Sequence, residues 1–391
     1  MLLFFCFFWG TYITRKIINP LSLASLSISV NLLSVYLCDI LDLLRLASIN
    51  DIEKIYTVIF IGQSAFLLPW LFFSKKTHDG IISSLPLNNI NILKISAVIS
   101  VVGICIASLS LGGLPIYQMA KGVLNVNSYN DSLSNLPLGL LAIISVNQSI
   151  FFLIFSEKIV LDKKFIKSKS IILWILLSFI ICIWQGKRQF FLFLIFITIT
   201  YFILYSNFKI KKNIFYLILI LPAFIFIFQT VSNLRNNRDN TESTKNFEIL
   251  EYGMYAPMNM ASILDYYPPG GTAIFPSTIL SEILPKRFVP DQITDYKNIL
   301  FEPTSPSSYF AYWYIDYGFL GVFVGMLLLS FVSKVYYHKQ IKEPRFRKAY
   351  ILLLWCCITI GVYNHFISLI FFIIPFLLLH IIDLKINFTV S

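Results

Sequence analysis

Apolar residues along this chain come in runs of roughly 15 to 25, separated by short polar or basic breaks. About 20 helical residues cross the hydrocarbon core of a bilayer, and a helix satisfies its own backbone hydrogen bonds in lipid. The pattern therefore predicts an all-α polytopic membrane protein. Its eleven spans lie at roughly 1–14, 21–44, 55–73, 92–111, 137–156, 170–185, 189–206, 214–232, 309–332, 349–364 and 366–384. The last two flank Asn364-His365 and are short enough for a tight hairpin. Met1 to Trp9 is apolar but has no basic n-region and no small-residue cleavage site, so it reads as a short first span rather than a removed signal peptide.

One interval breaks the pattern. Residues 233–308 carry eight of the sixteen prolines, nine of the twenty acids and only six basic residues. Two pieces, near 247–264 and 276–284, have the spacing of short amphipathic helices, each ended by proline or glycine. A loop this long with its own apolar pattern is usually functional. The chain thus divides into 1–232 with eight spans, the loop 233–308, and 309–391 with three spans and a tail. It shows no internal repeat.

Basic residues give the spans a direction. One alternate set of connections holds Arg15, Lys16, Lys75, Lys76, Lys94, Lys158, Lys163, Lys164, Lys167, Lys169, Lys209, Lys211, Lys212, the run Lys334 to Lys348, and Lys385. That set accounts for 20 of the 31 Lys and Arg. The other short connections hold only Arg45, Lys54, Lys121, Lys187 and Arg188. By the positive-inside rule the first set is cytoplasmic, with the amino terminus outside and the carboxyl terminus inside.

Composition agrees with this reading. Of 391 residues 57% are hydrophobic and 13% charged, and the mean hydropathy is +0.75. The net charge of +11 would suit nucleic acid, but its placement is a topology signal, so nucleic acid is excluded as a partner. All six cysteines lie inside apolar runs, where they read as small buried hydrophobes rather than disulfides or metal ligands. There is no Walker A loop, HExxH, nucleophile elbow or metal-ligand cluster, and no cofactor or metal is expected.

Candidate chemistry collects on the outside face. Trp184-Gln185-Gly186-Lys187-Arg188-Gln189 joins two spans with almost no loop, and its cations run against the topology trend. They are either snorkelling flank residues or a site for phosphate or pyrophosphate, which the planar fork of arginine suits. Arg235 and Arg238 leave the eighth span three residues apart, with the same two readings. Among the loop acids, Glu251 and Asp265 bracket the aromatic stretch containing Tyr255. Such an acid is either solvated or held as a general base near an acceptor hydroxyl. Asp316 falls inside the ninth span, where an acid faces the bundle or a cavity and serves as a ligand or arginine partner. His365 is the only outside histidine and is a candidate base or phosphate contact.

Three pieces carry a family likeness. Gly186-Lys187-Arg188 opening an apolar span is similar to a Gly-x-Arg element. A large outside loop follows Arg235. Tyr314-Ile315-Asp316-Tyr317-Gly318-Phe319-Leu320-Gly321 is similar to a D-x-G-x-x-G element. In this order they resemble the bacterial O-antigen polymerase (Wzy) family and related oligosaccharide repeat-unit polymerases. The loop lacks the histidine of the related O-antigen ligases. The resemblance implies a GT-C-like bundle in the bacterial inner membrane and a metal-independent glycosyltransferase working on its outer, periplasmic face. It implies undecaprenyl-pyrophosphate-linked glycan as donor and acceptor, membrane lipid as surroundings, and a chain-length regulator protein as a further partner. Arg188, Glu251 and Asp265 would be catalytic. Lys187, Arg188, Arg235, Arg238, Tyr255, Asp316 and His365 would bind substrate. The rival readings are a flippase or transporter for lipid-linked sugars and a ligase-type glycosyltransferase.

Overall fold

A computed structural model of the chain describes residues 1–40, 49–72, 90–121, 140–184, 188–205, 248–271, 278, 309–361 and 372–388. Its helices are, in chain order, α1 (Leu2–Thr14), α2 (Pro20–Ile40), α3 (Ile49–Phe72), α4 (Ile90–Ser110), α5 (Pro115–Ala120), α6 (Leu140–Leu161) and α7 (Lys163–Ile166). There follow α8 (Ile171–Ile183), α9 (Arg188–Tyr205), α10 (Glu248–Tyr266), α11 (Tyr309–Lys342), α12 (Arg347–Thr359) and α13 (Ile374–Phe388). No strand occurs among the described residues. Within α2, α3, α4, α6 and α11 lie five stretches long and apolar enough to cross a membrane, and α1, α8 and α9 are shorter apolar helices. The expected span at 214–232 and the helix near 276–284, apart from Thr278, lie outside the described residues.

The helices fall into two compact units, one from Met1–Ile81 and Ser243–Ile373, the other from Ile82–Glu242 and Ile374–Ser391. In the first, α3 and α11 are the most extensively packed pair. Gly62 lets them approach, because a Cβ there would sit 2.7 Å from the Phe310 ring. Further along, the Ser330 hydroxyl donates to the Phe66 carbonyl, the Lys334 ammonium donates to the Pro69 carbonyl at 2.6 Å, and the rings of Trp70 and Tyr337 lie 5.8 Å apart. These contacts advance together along both helices, so α3 and α11 run parallel. Pro69 interrupts the hydrogen bonding of α3. The last turn of any helix has carbonyls without intrahelical donors, and Lys334 serves one of them.

Helix α2 is the polar seam of this unit. Ser22 donates to the Phe7 carbonyl of α1 at 3.0 Å, Gln63 of α3 donates to Ser25 at 2.6 Å, and the Gly361 N–H beyond α12 donates to Ser27 at 3.2 Å. Gly253 of α10 comes so close to Ser34 that a Cβ on the glycine would overlap its hydroxyl. Small and hydroxylated residues let helices approach closely and bond across the contact, and in lipid this substitutes for a hydrophobic driving force.

The helix expected near 247–264 is present as α10. Met254, Ala256, Met258, Asn259, Met260, Ala261, Ile263 and Leu264 are all buried, and it packs on α2 and α3. Other expectations change. Lys158, Lys334, Arg347 and Lys348, assigned by sequence to connecting loops, are helical and buried. The helix over the expected ninth span runs on to Lys342 instead of ending near 332, and the helix over the expected fifth reaches Leu161 instead of ending near 156.

In the second unit, α4 and α6 pack antiparallel. Asn147 donates to Ser100 at 2.7 Å, and Gly103 faces Ile144 closely enough that a Cβ would lie 2.6 Å from it. Ser156 bonds Thr198 of α9 at 2.9 Å, and Gln148 donates to the Ile181 carbonyl of α8 at 3.1 Å.

Candidate functional site

The residues of the D-x-G-x-x-G element meet the end of α10 in the first unit. Helix α11 breaks at Tyr317 (φ −133°, ψ 16°) and Gly318 (φ 57°, ψ −144°). The Gly318 conformation is close to one that only glycine adopts without strain. A new helical segment after such a break begins with N–H groups that lack carbonyl partners. The Phe319 N–H finds one in the Pro269 carbonyl at 3.1 Å.

Pro269 is placed by the sequence that ends α10. Tyr266 is followed by Tyr267-Pro268-Pro269-Gly270-Gly271, and two prolines cannot continue the helix. The Gly271 N–H closes a turn onto the Pro268 carbonyl at 2.9 Å, with Gly271 at φ 77°. Backbone lies against backbone at this contact. A Cβ on Gly271 would fall 2.4 Å from the Asp316 carbonyl oxygen, and one on Gly318 would fall 1.8 Å from the Pro269 oxygen. Gly321 continues the fit by passing under the Trp313 carbonyl.

Asp316 is 1% exposed, and its Oδ1 accepts the Thr278 N–H at 3.0 Å. The sequence reading has it facing the bundle or a cavity as a ligand or arginine partner; in the structure its Oδ1 also holds backbone from the region between α10 and α11. Two residues earlier, the Tyr314 hydroxyl donates to the Tyr267 carbonyl at 3.4 Å. The start of α11 is thus tied to the segment after α10 at Tyr267, Pro269 and Thr278.

Exposed groups border this junction. Asp265, in the last turn of α10, pairs with Lys54 in the first turns of α3, and both side chains are about half exposed. Beside it Tyr266 is 64% exposed, and its ring meets that of Tyr267 edge-on at 5.1 Å. A carboxylate, an ammonium and an open tyrosine ring therefore share one end of the unit. The carboxylate can accept a proton from a hydroxyl, and the ring can stack on a sugar. Tyr255 sits two to three turns back along α10, half-buried.

Other expected site residues are placed only in part. Arg188 is the first residue of α9, and Glu251 lies in the first turn of α10, but the side chains of both are outside the described residues. Lys187, Arg235, Arg238 and His365 are outside them altogether. Among the described residues no group of three or more His, Cys, Asp and Glu is arranged to hold a metal ion.

Sequence reasoning missed Lys54, which was one of a few scattered outside cations, and it missed the docking of Pro269 on Gly318. The signals were present as Pro-Pro-Gly-Gly and Asp-x-Gly. Nothing local says that two such distant punctuation marks pack on each other.

The described residues are those of an all-helical protein, and the apolar helices long enough to cross a membrane suggest a membrane protein. No family model, no curated protein and no solved structure matches the chain.

Proposed function

We propose that this protein polymerises undecaprenyl-pyrophosphate-linked oligosaccharide repeat units into O-antigen or capsular polysaccharide on the outer face of a bacterial inner membrane. The observation that supports the reading most is the junction at Asp316. The loop between the eighth and ninth spans needs a rigid seat if it is to align two lipid-linked sugars, and the D-x-G-x-x-G residues provide one. The parallel run of α3 and α11 also favours the eleven-span layout. Two parallel crossings need an odd number of crossings between them, and that layout puts five there.

In this reading Lys187, Arg188, Arg235 and Arg238 hold the donor pyrophosphate at the membrane surface. The acceptor hydroxyl oxygen attacks the anomeric carbon of the donor sugar. The carbon–oxygen bond to the diphosphate breaks, and its electron pair leaves with undecaprenyl pyrophosphate. Cations aimed at that developing charge lower the barrier. The hydroxyl proton passes to a loop carboxylate, Asp265 or Glu251. Tyr255 and Tyr266 face the sugars, and His365 contacts phosphate.

The test is gel electrophoresis of extracted surface glycan. A null strain should carry single repeats, and Arg188→Ala should do the same while inserting at normal levels. A normal ladder of chain lengths in the null strain would sink the polymerase reading. Repeat units stalled on the cytoplasmic side, with none on the surface, would instead mark the protein as a flippase.

A further inference from the structure

The second unit carries a basic turn that the proposed reaction does not use. After α6, Asp162 caps α7, its carboxylate accepting the Lys164 and Phe165 N–H groups at 3.0 and 3.1 Å. The same carboxylate takes the buried Lys158 ammonium at 3.1 Å. The acid of this turn is therefore already matched by a cation from inside. Lys163, Lys164, Lys167 and Lys169 remain, all exposed.

The turn is held in shape. Phe165 is 7% exposed and its ring lies 6.5 Å from Phe155 and 6.1 Å from Trp174. The Ser168 hydroxyl donates to the Phe165 carbonyl at 2.7 Å. Directly after the last lysine, α8 presents an open aliphatic face, with Ile172 and Leu173 each 67% and Leu176 56% exposed. Ile166, within the turn, is 44% exposed.

An open aliphatic face on a membrane helix is where acyl chains lie, and its end sets the level of the headgroups. The four ammonium groups sit at that end. We propose that the turn from Asp162 to Ser170 is a seat for an anionic phospholipid, with the lysines on its phosphate and its chains along Ile172, Leu173 and Leu176. Four like charges within seven residues repel one another, and a phosphate relieves that repulsion. A preformed turn binds at less ordering cost than a disordered basic tail. The open aliphatic groups beside the lysines fit a lipid better than nucleic acid, which would want exposed aromatic rings for stacking.

Native mass spectrometry of the full-length protein in mild detergent tests this, with phosphatidylglycerol and phosphatidylcholine of equal chain length as probes. The wild type should retain phosphatidylglycerol preferentially. Replacing Lys163, Lys164, Lys167 and Lys169 together by Gln should weaken that retention by about tenfold or more, since each lysine near an anionic surface contributes roughly fivefold. Phosphatidylcholine retention should not move. Phe165→Ala, which frees the turn but keeps its charge, should weaken phosphatidylglycerol binding by a smaller factor. Equal phosphatidylglycerol retention by wild type and the Gln variant overturns the proposal, provided both unfold at the same temperature. If the Gln variant unfolds early, the Phe165→Ala arm decides, and unchanged retention there overturns it. Displacement of the lipid by millimolar inorganic phosphate would overturn it too, because the site would then read phosphate alone.

Discussion

Asp316 Oδ1 lies 3.0 Å from the backbone nitrogen of Thr278, across 38 residues of chain. The bond joins the membrane helix α11 to the region that precedes it. A buried carboxylate at that depth is costly to keep unless hydrogen-bonded. Replacing Asp316 by Ala removes the acceptor and leaves a buried N–H, which costs about 1–3 kcal/mol. Asp316→Asn keeps an oxygen at the same place and should recover most of the loss. Thermal unfolding in detergent measures both, and an unchanged midpoint for Asp316→Ala would show that the bond carries no stability.

Gly318→Ala should be among the most damaging single changes in the first unit. Its backbone angles strain any side chain, and the new Cβ would lie 1.8 Å from the Pro269 oxygen. The neighbouring atom is backbone, so nothing flexible can swing aside. A loss of more than about 3 kcal/mol is expected, near the limit for single substitutions. Gly271→Ala should behave similarly, and the double variant should cost less than the sum because both disturb one contact. Size-exclusion chromatography of tagged variants would show aggregation or loss of the folded peak. A well-folded Gly318→Ala protein would contradict the geometry.

The Lys54–Asp265 pair separates stability from chemistry. Both side chains are about half exposed, 46% and 48%, and such pairs contribute about 0–1 kcal/mol. Lys54→Ala should therefore leave the unfolding midpoint nearly unchanged. If Asp265 is the base of the proposed transfer, Asp265→Asn should collapse the glycan ladder at nearly wild-type stability, and Lys54→Ala should keep it. A full ladder with Asp265→Asn would remove Asp265 as the base and leave Glu251.

Asp162 ties the second unit to pH. Partial burial pushes its carboxyl up, but the Phe165 N–H, the Lys158 ammonium and the Lys164 N–H outweigh this and hold it below its ordinary value of 3.8. A depressed carboxyl contributes stability that is fully present above its unfolded value. The contribution fades as pH falls through the folded one. Asp162→Asn keeps the cap but should lose this acid sensitivity, while Asp162→Ala should cost about 1 kcal/mol at neutral pH. Unfolding midpoints between pH 3 and 7 would show it. A wild-type slope below pH 4 no steeper than that of Asp162→Asn would count against the assignment.

Much of the architecture was readable one residue after another. The apolar runs of α2, α3, α4, α6 and α11 are long enough for a membrane because span length depends only on contiguous hydrophobicity. The end of α10 was readable from Pro268 and Pro269, since proline blocks a helix wherever it occurs. The fate of individual polar groups was not. Lys158 and Lys334 look like flanking loop cations by composition, yet one neutralises Asp162 and the other serves a carbonyl of α3. Asp316 reads by sequence as a ligand or arginine partner, because an acid within an apolar run needs a partner. One partner that the structure gives it, the Thr278 N–H, comes from a segment 38 residues away. The burial of α10 likewise depends on Gly253 and Ser34 being small at the same height on two helices. Hydrophobic periodicity acts through neighbours along the chain, so the sequence alone determined that this is a bundle of membrane helices. Close approach and hydrogen-bond partnership act across space, so only the tertiary structure decided that Pro269, Gly271, Thr278 and Gly318 form one junction.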